Sequence, residues 1–242
     1  MCPSDFFFLF LMSIGAAFVQ RVSGFGFGIF IMTVLPFLLP TYGEATALSG
    51  LLALVTSLVI TFRYRHYILW RRLLPILLTF LIVSAFAVGI LAYAPELLLR
   101  RILGVVLILA SLYFFGLSHR IRLRPNLGIQ VGLGTLSGLM GGLFGMQGPP
   151  AVLYFISSTK SKEEYIAMAQ CYFLVGNLFM TLFRARAGFL TASVFSGWLS
   201  GLAGVAIGTY IGSKVFRRIP LPFLRRVIYL YMALSGIVLL LS

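Results

Sequence analysis

The sequence predicts an all-α polytopic membrane protein made of two homologous repeats, residues 1–125 and 126–242. Three observations carry this. Hydrophobic residues make up 60% of the chain and charged residues only 10%, against about 25% charged in soluble domains. The same glycine-broken apolar pattern occurs twice, about 120 residues apart. Finally, most of the 19 Lys and Arg, which outnumber 5 Asp and Glu, sit in short stretches between apolar runs.

In chain order, the first apolar segment, Asp5–Leu39, is interrupted by Gln20-Arg21-Val22-Ser23-Gly24-Phe25-Gly26-Phe27-Gly28. It has no basic leader and no small-residue cleavage site before Arg21, so it reads as a retained membrane segment. Ala45–Phe62, Leu73–Tyr93 and Ile102–Leu117 follow as ordinary spans, each near the ~20 residues that cross the hydrocarbon. Leu127–Ile156 is the second broken segment, interrupted by Gly141-Gly142-Leu143-Phe144-Gly145-Met146-Gln147-Gly148-Pro149-Pro150. Tyr165–Phe183, Phe189–Val215 and Phe223–Leu241 complete the chain. The broken segments are expected to form half-helices of roughly 12 to 15 residues, about 18–22 Å each. Irregular backbone at that depth must line protein or water.

Further landmarks recur in register. Thr41-Tyr42-Gly43-Glu44 and Ser161-Lys162-Glu163-Glu164 are capping boxes offset by 120 residues. The helices they open end in Phe62-Arg63-Tyr64-Arg65 and Phe183-Arg184-Ala185-Arg186, offset by 121. Charge counting then separates two topologies. Eight plain spans in parallel repeats place nine Lys/Arg on each side, leaving out Arg21 as intramembrane. Treating each broken segment as a re-entrant hairpin places fourteen on one side and four on the other. The second matches the cytoplasmic bias of membrane proteins and makes the halves inverted relative to one another, as in many secondary transporters. Inverted repeats are the favoured expectation, and parallel repeats the alternative.

The basic balance reads as topology determinants and contacts with anionic headgroups of the bilayer, not as nucleic-acid binding. Cys2 and Cys171 have no metal-spaced partners, so neither a disulfide framework nor a metal site is expected. No cofactor is expected either. His66 and His119 lie in basic loops, so no nucleophile–base set assembles at membrane depth and the chain does not read as an enzyme.

The chemistry is expected at the breaks. A helix that begins inside the membrane presents unpaired N–H groups and a partial positive charge, a ready anion site. Gly24, Gly26 and Gly28 let a ligand approach the backbone in the first half, as do Gly145 and Gly148 in the second. Pro149 and Pro150 suit the first turn of a restarting helix. Gln20, Arg21 and Ser23 flank the first break, Met146 and Gln147 lie within the second, and Gln170 and Asn177 sit on the helix that follows it. Buried amides face the bundle interior, binding either ligand or neighbouring helices. Arg21 either snorkels to an interface or offers its charge to substrate. Glu44 and Glu164 read as capping residues, so no carboxylate is expected to couple protons in the core. Gly132, Gly134, Gly138, Gly201, Gly204, Gly208 and Gly212 read as helix-packing glycines.

On these residues the chain resembles the TauE/SafE family of sulfite exporter and sulfonate permease-like transporters. The resemblance rests on the duplicated four-segment plan, Ser23-Gly24-Phe25-Gly26-Phe27-Gly28, and Gly141-Gly142-Leu143-Phe144-Gly145 with Gly148-Pro149-Pro150. It implies a multi-pass carrier of the cell (inner or plasma) membrane for a small sulfur-containing anion such as sulfite, a sulfonate or a related organic acid. Gln147 departs from a more uniformly small or apolar motif, as an adjuster of selectivity or a helix cap. An anion channel is the alternative function, and the chain is compatible with a homo-oligomer.

Overall fold

The computed structural model describes residues 3–117, 126–215 and 221–241, without the side chains of residues 3, 114, 117, 215 and 221–229. Cys2, His119, Arg120, Arg122, Arg124, Arg217 and Arg218 lie outside the described residues, as do the side chains of Arg225 and Arg226. Every regular element among the described residues is helical.

The first broken segment becomes α1 (Pro3–Ser23), α2 (Phe27–Ile31) and α3 (Leu35–Leu38). It is followed by α4 (Tyr42–Tyr64), α5 (Trp70–Leu91) and α6 (Glu96–Leu112), the last prolonged by a π-helical turn over Tyr113–Leu117. The second broken segment becomes α7 (Leu127–Phe144) and α8 (Gly148–Ser158), followed by α9 (Lys162–Arg186), α10 (Ala192–Val215) and α11 (Leu221–Leu241). Six of these helices are long and apolar enough to cross a membrane. Large apolar side chains such as Phe86, Val59 and Leu241 face outward, as hydrocarbon surroundings permit. This is a multi-pass membrane protein.

The half-helix expectation needs correction. The pieces before the breaks are 21 and 18 residues long, and those after are short: 5 and 4 residues for α2 and α3, 11 for α8. Glycines within α1 and α7 do not end those helices, because packing rewards them there. Gly15 receives the Phe30 ring, and Gly134, Gly138 and Gly142 receive the α5 backbone. Both capping boxes form at their first member. Thr41 Oγ1 accepts from Glu44 N at 3.2 Å and Ser161 Oγ from Glu164 N at 3.1 Å, each satisfying one orphan donor of the helix start.

Four interfaces dominate: α1 with α10, α5 with α7, α4 with α9, and α6 with α11. Their registers give direction. Ser200 Oγ donates to Phe6 O, and Gly204, Gly208 and Gly212 face the carbonyls of Phe10, Ile14 and Phe18. Residue numbers rise together, so α1 and α10 run parallel. Gln130 reaches Arg72 O, and Gly134, Gly138 and Gly142 face the carbonyls of Ile76, Phe80 and Ser84. So α5 and α7 are parallel too. In contrast α4 and α9 are antiparallel: Thr46 meets Arg184, while farther along α4 Gln20 bonds to both Ser57 and Gln170. Gly104 and Gly236 lie against one another's carbonyls where α6 and α11 cross. Small residues permit such backbone contact between membrane helices. Gly132 is the exception among the expected packing glycines, with nothing within 4 Å of a Cβ placed on it.

Candidate functional site

Each break is three residues long, 24–26 in the first half and 145–147 in the second. Gly24, Gly26 and Gly145 adopt φ of 84°, 97° and 67°, the left-handed region that glycine enters without strain. Gly28 and Gly148 keep ordinary φ and serve closeness instead: Gly28 lies directly against the Gly145 carbonyl, and Gly148 against Phe25. The two breaks therefore meet.

Beside their meeting point lies a partly open cavity of about 30 Å³. By the 10–15 Å³ a water centre needs, that holds roughly two or three small centres. Gly26, Phe27, Gly28 and Ile29 line it from the first half, Gly145, Met146, Gln147 and Gly148 from the second, and Gln20, Ala53, Phe173 and Asn177 complete the lining. Ala53 is the twelfth of 23 residues in α4 and Phe173 the twelfth of 25 in α9, so the cavity lies midway along both helices. No carboxylate lines it.

The donors are specific. The first-turn N–H groups of Phe27, Gly28 and Ile29 have no intrahelical partner. At α8 the arrangement differs from a simple helix terminus, since Pro149 and Pro150 carry no N–H and leave Gly148 as the first-turn donor. With α2 only 5 residues long, individual N–H and amide groups matter here more than a summed helix dipole. Three carboxamides add to them. Gln20 Nε2 makes only long bonds, 3.3 Å to Ser57 Oγ and 3.4 Å to Gln170 Oε1. Gln147 is 5% exposed, its Oε1 has no partner among the described residues, and it makes no side-chain cap bond although it is the N-cap of α8. Its side chain occupies room left by Gly141 and Gly176. Asn177 is buried on the cavity's edge.

Of the residues expected at the site, Gln20, Gly26, Gly28, Gly145, Met146, Gln147, Gly148 and Asn177 come together at the cavity. Gln170 and Gly24 stand behind it, the amide Nε2 donating to Gly24 O at 2.9 Å. Ser23 Oγ is spent on the carbonyls of Val19 and Phe25. Arg21 points away, its Nε donating to Ser213 Oγ at 2.7 Å and its stem lying over Gly212.

Two supports were not evident from sequence. Tyr172 donates to Ser137 Oγ (2.8 Å), which donates to Gln147 O (2.6 Å), and this chain fixes the second break. The larger omission is Arg184. Beside Arg186 at the end of an apolar run it reads as a boundary charge, yet it is 0% exposed. Nη1 donates to Thr46 O at 3.0 Å and Nη2 to Gly141 O at 2.9 Å. The signal that could have found it is Gly141-Gly142 in the last turn of α7, where carbonyls at a helix C-terminus attract a cation. Glu164 closes on the helix start one residue early, its carboxylate accepting from Lys160 N at 2.8 Å, not from the N-cap Ser161. The expected cap role of Glu44 is not met, its buried Oε2 having no partner among the described residues.

Comparison with known proteins agrees with this plan. The "Sulfite exporter TauE/SafE" family model matches residues 9–239. A protein of Cupriavidus necator described as "Probable sulfite/organosulfonate exporter TauE" is 28% identical over 217 residues, covering 88% of this chain and 83% of its own. No solved structure matches. With residues 9–239 matched, the chain belongs to the sulfite exporter TauE/SafE family.

Proposed function

We propose that this protein is a secondary transporter of the cell membrane that carries a small sulfur oxyanion, sulfite or a compact sulfonate, through the cavity where the two breaks meet. The observation that carries the reading is the lining itself: backbone N–H groups from both breaks with three carboxamides and no carboxylate. Moving an anion out of water is costly unless hydrogen bonds replace its hydration, and bonds to a charged group are the strong ones. Neutral donors also hold the anion loosely enough to release it. The cavity's size suits a four-heavy-atom oxyanion better than a long sulfonate.

Helix directions support an inverted arrangement. Short links make α5 antiparallel to α4, and α10 to α9. With α4 opposing α9, α1 parallel to α10 and α7 parallel to α5, α1 then runs with α4, α7 runs with α9, and the two halves oppose. Each half is one re-entrant hairpin, α1 with α2–α3 or α7 with α8, plus three crossings. Exchanging the halves maps the α1–α10 interface onto α7–α5 and returns α4–α9 and α6–α11 to themselves. Among the described residues, one face then holds Arg63, Arg65, Arg71, Arg72, Lys160, Lys162 and Lys214 and the other Arg100, Arg101 and Arg186, since Arg184 is buried. The basic face is cytoplasmic. Alternating access follows from rocking one half against the other about the central crossing.

Sulfite flux into proteoliposomes tests this. Saturable flux accelerated by trans sulfite supports a carrier, non-saturating flux without trans-acceleration a channel, and no flux of any small anion refutes the reading.

A further inference from the structure

The apolar part of the cavity lining takes no part in holding an oxyanion, and it is built unevenly. Ala53 and Phe173 are each the twelfth residue of their helices, and both line the cavity. Of these two central helices, α4 therefore brings a methyl group and α9 a ring. Asn177 lies four residues beyond Phe173, so carboxamide and ring share one face of α9, the face that lines the cavity. The ring also reaches the second break. A Cβ at Gly148 would stand 3.9 Å from Phe173 Cζ and 3.3 Å from Phe25 Cδ2. Two rings thus close round the residue that supplies the first-turn N–H of α8.

An oxyanion held by the Gly148 N–H and the Asn177 carboxamide has the Phe173 ring beside it. Sulfite carries three oxygens and a lone pair on sulfur, whereas a sulfonate carries carbon where the lone pair was. That carbon, and any chain after it, must find room among the apolar side chains of the lining. Met146 is flexible and yields, and Ala53 is small. Phe173 does neither: it is 5% exposed and packs edge-on against Tyr172, with ring centroids 6.0 Å apart at 72°. Tyr172 is itself held by the rings of Phe80 and Phe155 and by its bond to Ser137. A purely structural account makes Phe173 a core filler. That explains its burial, but not a fixed ring on the cavity side, next to an amide, where α4 carries only alanine. We propose that Phe173 is a specificity-determining residue of the site, its ring closing the space beside the bound SO₃ group so that sulfite enters and alkylsulfonates are excluded as their chain lengthens. This rests on the transport reading above and assigns its size limit to one side chain.

Flux of radiolabelled sulfite, methanesulfonate, ethanesulfonate and propanesulfonate through the full-length protein in proteoliposomes tests the filter. In wild type the ratio of maximal flux to KM falls about tenfold or more with each added carbon, the discrimination an apolar site exerts per methylene. Phe173→Leu stays apolar but shortens the reach of the side chain, and it raises ethanesulfonate relative to sulfite about tenfold. Phe173→Ala extends the gain to propanesulfonate, because a vacated apolar cavity takes up apolar groups. Each sulfonate-to-sulfite ratio is measured on one preparation, so a loss of folded protein cancels, and Phe173→Leu decides alone where the alanine variant does not fold. Wild type that carries propanesulfonate as well as sulfite, or ratios unchanged in the variants, overturns the filter while leaving transport standing. Absence of wild-type sulfite flux overturns the transport reading instead.

Discussion

Gly28 is where the two breaks touch, and replacing it with alanine is the sharpest steric perturbation of the site. A Cβ built there would lie 2.1 Å from the carbonyl oxygen of Gly145 and 3.2 Å from its carbon. Ordinary contact begins near 3.4 Å, so the crossing must open by more than 1 Å. The obstructing atom is backbone, held on its own side by Gly145 N on Gly141 O and Met146 N on Met140 O, so no rotamer change relieves the clash. Overpacking of this kind costs about 1–3 kcal/mol, and a rigid obstacle places Gly28→Ala near the upper end. At 1.4 kcal/mol per decade, about 3 kcal/mol is roughly a hundredfold in the population of the closed crossing. The assay is initial-rate sulfite flux over a concentration series, with thermal unfolding of the detergent-solubilised protein measured in parallel. Flux should fall by one to two orders of magnitude with a lowered melting temperature. Wild-type flux and melting in Gly28→Ala would refute the crossing of the two breaks as the transport site.

Other outcomes follow from the same geometry. Gln147→Leu and Asn177→Leu each remove a carboxamide from the cavity and should raise the sulfite KM about tenfold or more, with melting near wild type; an unchanged KM in both would remove the side chains from the site. Arg21→Gln should leave the KM unchanged, because its guanidinium is bonded to Ser213 away from the cavity; a large KM increase would assign it to the substrate. Gly132→Ala should be neutral or stabilising by up to about 1 kcal/mol, as helix propensity alone decides there, which thermal unfolding reads. Single cysteines at Lys160 and at Gly188 should label from opposite faces in sealed vesicles, with Lys160 cytoplasmic; labelling from the same face would contradict the helix directions.

Much of this site was legible because its chemistry is local. A glycine cluster interleaved with polar residues inside an apolar run is where a helix can break, and Gly24, Gly26 and Gly145 do so. Of the ordinary spans, those that became α4, α5, α9 and α10 were equally visible from length, and the capping boxes from their spacing. In contrast α1 and α7, read as broken, are also long enough to cross, and α6 and the apolar part of α11 are shorter. What sequence could not rank was glycine that packs against glycine that breaks. Gly15, Gly134 and Gly138 stay helical because a ring or a neighbouring backbone occupies the missing Cβ position, a tertiary fact. Arg184 was hidden for a related reason. Phe62-Arg63 and Phe183-Arg184 look alike, yet Arg63 is exposed and Arg184 is enclosed. On the repeat reading the counterpart of Gly50 is Cys171, 121 residues on, so only one half leaves room for a guanidinium. Gln147 shows the reverse case: a polar residue within a helix-restart motif suggested a cap, and the structure turns it toward the cavity rim with no cap bond.

The claim at the centre is that one mid-depth cavity, formed by both breaks, binds a sulfur oxyanion and is exposed alternately to either side. Counterflow measures it most directly: proteoliposomes preloaded with unlabelled sulfite and diluted into trace labelled sulfite. Transient accumulation of label above equilibrium, abolished by Gly28→Ala and slowed by Asn177→Leu, is the predicted result. Label that only equilibrates, or an overshoot that both variants leave intact, would contradict it.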